Sequence, residues 1–214
     1  MIVPEEIDVS FLQNFRQIIL KHLAYEKGFY IIAGGGKTAR KYQKAAAEIT
    51  ALTREDLDWL GIHATHLNAH LIRTIFREVA HPKIITNIKV KENVSEKVVV
   101  GAGWRPGWST DYISVHFAKN YHVSTVVNLS NIDFVYDKDP SKFKDAQPIK
   151  EISWTDYRKI VGEVWDPGLN VPFDPIASRL AHENGVQVVV MNGHKLENFE
   201  NFLTGRTFQG TIIS

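Results

Sequence analysis

The sequence contains no cysteine, so disulfides and thiolate metal sites are excluded and the fold must rest on packing. That absence fits a reducing cytoplasm. Net charge is nearly absent too. The 25 basic and 24 acidic residues leave +1, which argues against a nucleic-acid binder or an acidic tail. No apolar run reaches membrane-spanning length, and the N-terminus lacks the basic-then-apolar pattern of a signal peptide. Repeats and low-complexity tracts are missing as well. What is there, 44% hydrophobic and 23% charged residues in a chain of 214, suits one cytosolic domain with one core.

Helical and strand patterns alternate along the chain. Phe11, Leu12, Phe15, Ile18, Ile19 and Leu23 recur at helical spacing between Val9 and about Ala24. Gly28 ends that helix before a short buried strand, Phe29-Tyr30-Ile31-Ile32-Ala33, and a polar helix follows. Thr53, with Asp56 three residues on, predicts a capping box for a helix reaching about Val79. Strands are expected at 84–88 and 97–102, then a helix from near Thr110 and a buried parallel strand at 123–127. Beyond Pro140 come a short helix near Thr155, one opened by Asp174-Pro175, a strand at 186–191, a helix from Leu196 and a last strand at 211–213. This alternation predicts one mostly parallel sheet covered on both faces.

Several stretches carry chemistry. Gly34-Gly35-Gly36 lies between a strand and a helix that opens with Lys37 and Arg40. Glycines there let backbone N–H groups approach an anion at the helix N-terminus; the other reading is a tight turn with solvated cations. The Walker spacing is absent. Gly101-Ala102-Gly103-Trp104-Arg105-Pro106-Gly107-Trp108-Ser109-Thr110-Asp111 repeats the theme. Its hydroxyls either bind an anion or simply cap the next helix. Asp58, near Gly61, suits ribose hydroxyls or plain solvent exposure. His63, His66 and His70 form a helical stripe that fits a packed or subunit-facing surface better than a metal site, and Asn68 favours the packing reading. Finally, Ser130-Asn131-Ile132-Asp133-Phe134-Val135-Tyr136-Asp137-Lys138-Asp139-Pro140 falls at the carboxyl end of a strand, where α/β sheets bind ligands.

Taken in order, these stretches resemble UMP kinases of the amino acid kinase superfamily, especially the archaeal type. The similarity is carried by Gly34-Gly35-Gly36-Lys37-x-Ala39-Arg40-Lys41-Tyr42, by Asp58-Trp59-Leu60-Gly61 and by Gly103-x-x-Pro106-Gly107-x-Ser109-Thr110-Asp111. It continues through Ser130-Asn131-Ile132-Asp133-x-Val135-Tyr136-x-x-Asp139-Pro140, Phe173-Asp174-Pro175-x-Ala177 and Gly210-Thr211-Ile212-Ile213. The resemblance implies an α/β fold, a three-layer α/β/α sandwich with a mostly parallel central sheet, as a single domain over residues 1–214. It implies ATP-dependent phosphorylation of UMP to UDP in pyrimidine nucleotide biosynthesis.

By the same resemblance Gly35, Asp58, Gly103, Trp104, Arg105, Pro106, Gly107, Trp108, Ser109 and Thr110 would hold UMP. Gly36, Arg40, Ser130, Asn131, Tyr136 and Asp139 would face ATP. Arg40 and Asp111 are the catalytic candidates. A phosphate acceptor is already ionised near neutral pH, so Asp111 is read as an organiser of cations and not as a base. Mg²⁺ would enter bound to the ATP phosphates, with no metal site made by the protein itself. A cytoplasmic homohexamer built from dimers is implied, with the helix of His63, His66 and His70 as a subunit contact; neither nucleic acid nor membrane is a partner.

Three departures from the family pattern matter. Phe134 stands where glycine is usual, and Trp104 and Trp108 are bulky for the second loop. Family members also open with a central strand and a Gly-Gly-Ser loop that contacts the ATP phosphates. Here Met1-Ile2-Val3-Pro4 begins just after the place where that loop would end. The expectation is that Met1 is internal to a longer reading frame, that two sheet edges are left unpaired and that activity is impaired. The alternatives are a non-catalytic nucleotide-binding or assembly protein of the same fold, or a kinase for isopentenyl phosphate or acetylglutamate.

Overall fold

Asp8 opens the first helix, its carboxylate accepting the Phe11 N–H at 2.9 Å. The computed structural model describes residues 6–164 and 171–214; Met1 to Pro4, on which the expectation about the start rests, lie outside them. The chain divides into two compact units, Met1–Ile113 and Ser114–Ser214.

The first unit holds α1 (Val9–Leu23), β1 (Phe29–Ile32), α2 (Gly36–Ala47), α3 (Arg54–Ile75), β2 (Val98–Gly101) and the start of α4 (Thr110–Tyr121). α1 buries Phe11, Leu12, Phe15 and Ile19, the apolar face read from its spacing. Phe15 meets Phe76 edge-on at 6.2 Å, and burying each such ring contributes about 1.5–3 kcal/mol. The capping box at α3 is present: Thr53 Oγ accepts the Asp56 N–H at 3.1 Å, and the Asp56 carboxylate accepts the Thr53 N–H at 2.9 Å. α3 ends at Ile75, short of the expected Val79, because Arg16 of α1 donates to the Ile75 carbonyl at 2.7 Å.

β1 and β2 run parallel, Phe29 opposite Val98 and Ile32 opposite Gly101. The strand expected at 84–88 reduces to a single bridge, Ile85 to Gly101. Asn87 explains the loss: its side-chain oxygen accepts the Lys89 N–H at 3.0 Å and turns the chain out of the ladder.

The second unit contains β3 (Thr125–Ser130), β4 (Val135–Tyr136), β5 (Pro148–Ile149), β6 (Glu151–Ile152), α5 (Trp154–Val161), α6 (Pro175–Glu183), β7 (Gln187–Asn192), α7 (Leu196–Leu203) and β8 (Thr211–Ile213). Its main sheet has the order β3-β7-β8-β6, parallel except between β7 and β8, and β4 pairs β5 antiparallel. Strands are therefore mostly parallel, as expected. They form separate sheets among the described residues where one continuous sheet was expected.

β2 and the middle of β7 are buried, whereas β1 and β3 are half-buried at every position. A strand partnered on one side only is covered in that way. Asp174 caps α6 ahead of Pro175, accepting the Ala177 N–H at 2.7 Å. The Tyr157 hydroxyl donates to the Phe173 carbonyl at 3.0 Å, so the Phe173-Asp174-Pro175 stretch is anchored within this unit's core.

Candidate functional site

In the first unit two glycine loops lie against one helix. Gly34 and Gly35 join β1 to α2, and the Asn68 side-chain amide of α3 donates to both of their carbonyls, at 2.7 and 3.3 Å. The approach is tight: a Cβ on Gly35 would sit 2.9 Å from Ala39 Cβ and 3.3 Å from the Gly61 carbonyl oxygen. Gly36 has φ 59, a left-handed conformation that glycine adopts without strain. Arg40 is exposed one turn into α2. Gln43 of α2 donates to the Leu57 carbonyl at 2.8 Å, tying α2 to α3 next to Asp58 and Gly61.

The second loop leaves β2 and docks on the same helix at both ends. The Gly103 N–H donates to Thr65 Oγ at 2.9 Å, and the Gly103 carbonyl lies 2.7 Å from His66 Nε2. That carbonyl can only accept, so Nε2 carries the hydrogen. Thr65 passes its own proton to the Ile62 carbonyl at 2.6 Å. Further along, Asp58 accepts the Gly107 N–H at 2.7 Å through one carboxylate oxygen. The two loops also come near each other, since a Cβ on Gly34 would lie 4.0 Å from Thr110 Oγ. Ser109 caps α4, accepting the Tyr112 N–H at 3.1 Å.

Between those anchors the side chains stack. The Trp104 and Trp108 rings meet edge-on at 5.1 Å, and Trp108 meets Tyr112 at 4.4 Å. The Arg105 guanidinium lies 4.4 Å from the Trp104 ring and 4.8 Å from the Trp108 ring. Cation–π contacts of this kind contribute about 0.5–1 kcal/mol each at exposed positions. The two indoles that depart from the family pattern thus pack on their own loop.

In the second unit, Ser130 ends β3 and Asn131 follows, exposed. Asp133 pairs with Lys195 at 2.8 Å and accepts from the Asn192 amide at 3.0 Å. The Lys195 hydrogen bond, with help from Asn192, holds its carboxyl below the usual aspartate value. Phe134 is half-buried and Val135 fully buried. Thr211 of β8 fixes this segment: its hydroxyl accepts the Val135 N–H at 2.8 Å and donates to the Ile149 carbonyl. Tyr136 lies on β4, and Asp139 accepts from Ser141 N–H and Oγ at 2.9 and 2.7 Å. The Ser141 bonds, with Lys142 nearby, lower the Asp139 carboxyl.

The structure therefore gathers Gly35, Asp58, Gly103, Gly107 and Thr110 around α3, and places Ser130, Tyr136 and Asp139 along one segment of the second unit. Of the histidine stripe, His63 and His70 are exposed; the His63 ring meets His66 edge-on at 5.8 Å, and His66 also bonds to Gly103. Among the described residues no group of three or more His, Asp or Glu side chains forms a metal site. Sequence reading missed Thr65, His66 and Asn68 as loop anchors. The available signal was polar Thr65 and Asn68 on a helix face shared with Ile62, Ala69 and Ile72, because buried polar groups require partners.

Known proteins match the chain in sequence and in fold. The family model described as "Amino acid kinase family" matches residues 3–192. A uridylate kinase of Methanobrevibacter smithii is 31% identical over 216 aligned residues, covering 100% of this chain and 95% of that protein. One from Staphylothermus marinus is 33% identical, covering 97% and 93%. The crystal structure of the uridylate kinase from Archaeoglobus fulgidus superposes with a TM-score of 0.82 at 28% identity, covering 99% of this chain and 95% of that one. With nearly the whole length matched in sequence and in fold, the chain belongs to the amino acid kinase family and has its α/β fold.

Proposed function

We propose that this chain is a UMP kinase, transferring the γ-phosphoryl group of ATP to UMP to give UDP in pyrimidine nucleotide synthesis. The observation that supports it most is the docking of two glycine loops on α3, with Asp58 beside them. One Asp58 oxygen is taken by Gly107 N–H; the other is the acceptor for ribose hydroxyls. Gly35 and the stretch Gly103, Trp104, Arg105, Pro106, Gly107, Trp108, Ser109 and Thr110 supply N–H and hydroxyl donors for the UMP phosphate and a wall for the base. Gly36, Arg40, Ser130, Asn131, Tyr136 and Asp139 serve ATP. Residues 1–214 act as one kinase domain.

Phosphoryl transfer asks for alignment and charge neutralisation more than for covalent chemistry. Arg40 offsets charge building on the transferred oxygens, and Asp111 organises cations. Mg²⁺ carried on the ATP phosphates supplies further neutralisation, a mode that needs few protein ligands. The exposed face of α3, with Trp59 41% and Leu67 64% accessible and His63 and His70 beside them, is the proposed contact between subunits of a cytoplasmic homo-oligomer, a hexamer by family resemblance. No helix among the described residues is long and apolar enough to cross a membrane. The test is UDP formation from UMP and MgATP by the purified chain, paired with calorimetric titration of each nucleotide. UDP formation is expected. Nucleotide binding without UDP would favour a binding module of the same fold, and no binding of either nucleotide would overturn the proposal.

A further inference from the structure

We propose that Asn68 and His66 are positioning residues of the acceptor site, setting the direction of its anion-binding N–H groups without touching the nucleotide. In a trans peptide the carbonyl of one residue and the N–H of the next point in opposite directions. Asn68 draws the Gly34 and Gly35 carbonyls toward α3. The N–H groups of Gly35 and Gly36 must then point away from α3. His66 draws in the Gly103 carbonyl, which turns the Trp104 N–H outward in the same manner. Thr65 holds the other side of Gly103 through its N–H, so that residue cannot rotate to relieve the constraint.

Three outward donors are thus held by two side chains two residues apart on one helix, with the Ala39 N–H, at 3.2 Å from the Gly35 carbonyl, adding to the hold on the Gly36 N–H. Burial makes the device stiff. Asn68 is 3% and Thr65 4% exposed, and the amide's partners are both carbonyls, so its orientation is not exchangeable. Glycine is needed at Gly103 for the same reason, since a Cβ there would meet Thr65 Oγ at 3.0 Å. The glycine loops read at first as adaptations to a ligand are equally adaptations to α3. Donors fixed in advance stabilise charge without reorganising when an anion arrives. His66, half-buried and assigned from sequence to a packing surface, acquires a role specific to the acceptor.

The inference rests on the UMP kinase reading, and its test separates the two. His66→Leu removes the donor, while His66→Gln keeps an N–H near the Nε2 position. Leucine should raise the KM for UMP about tenfold, with kcat at saturation and the KM for ATP within about twofold of wild type. Glutamine should restore the KM to within about twofold of the natural value. In the nucleotide-free protein, deuterium exchange over residues 101–108 should quicken for leucine and not for glutamine. Asn68→Asp, which turns lone pairs toward two carbonyls, should quicken exchange over 33–39 instead. The proposal is overturned if leucine leaves UMP KM and loop exchange unchanged, if glutamine fails to rescue, or if UMP and ATP parameters worsen together with a lower melting temperature. Should wild type make no UDP, the functional reading alone has failed, and loop exchange still decides whether these residues pin the donors.

Discussion

Arg40 stands exposed on α2, four residues beyond Gly36. An exposed cation at that position contributes little to packing, so its removal should act on chemistry and not on the fold. Arg40→Ala is expected to lower kcat about 100-fold with the KM for UMP changed about threefold or less, as steady-state kinetics would report. Equal loss in both would assign Arg40 to binding. Asp133 makes a different case. The Lys195 hydrogen bond, then Asn192, hold its folded carboxyl below the ordinary value. The unfolded chain therefore binds a proton first as pH falls. The stabilisation is complete above the ordinary aspartate pKa of about 4 and disappears as pH drops through the folded value. Asp133→Asn should flatten the acid limb of the melting-temperature profile below about pH 4 and leave the limb near neutrality parallel to wild type. An unchanged acid limb would mean the pair contributes nothing.

At the scale of elements, α3 was readable in part. Its start was plain because Thr53 and Asp56 are three residues apart and their bonding is local. Its inward face, where the polar Thr65 and Asn68 lie among Ile62, Ala69 and Ile72, was not plain from apolar spacing, and neither were its partners. Thr65 and Gly103 are 38 residues apart, and Asn68 and Gly34 are 34 apart. Helical periodicity reports that a face is covered without naming what covers it. The end of α3 escaped for a related reason, being set by Arg16 from another helix. Residues 84–88 looked like a strand because Ile84, Ile85 and Ile88 dominate them, yet the Asn87 turn prevailed. In contrast, the Ser130 to Pro140 segment was legible as the polar end of a strand, since strand, polar residues and Asp-Pro lie consecutively. What tethers it, Thr211, came from 76 residues beyond Val135.

For the whole molecule, a net charge of +1 gives little long-range attraction for a polyanionic nucleotide. On the proposed function, recognition would come from local donors, the glycine-loop N–H groups and Arg40 among them. Assembly is the other whole-molecule question. Leu67, 64% exposed, lies on the face of α3 proposed as a subunit contact. If the chain assembles through α3 as proposed, Leu67→Glu should shift sedimentation toward smaller species than wild type while circular dichroism stays the same; an unchanged distribution would count against that contact. The tethering of both glycine loops to α3 has one more consequence. Their conformational entropy is surrendered when the chain folds, so an arriving nucleotide has little loop ordering left to impose. Encounter should proceed at similar rates for related acceptors, and discrimination among them should lie in how long each stays bound.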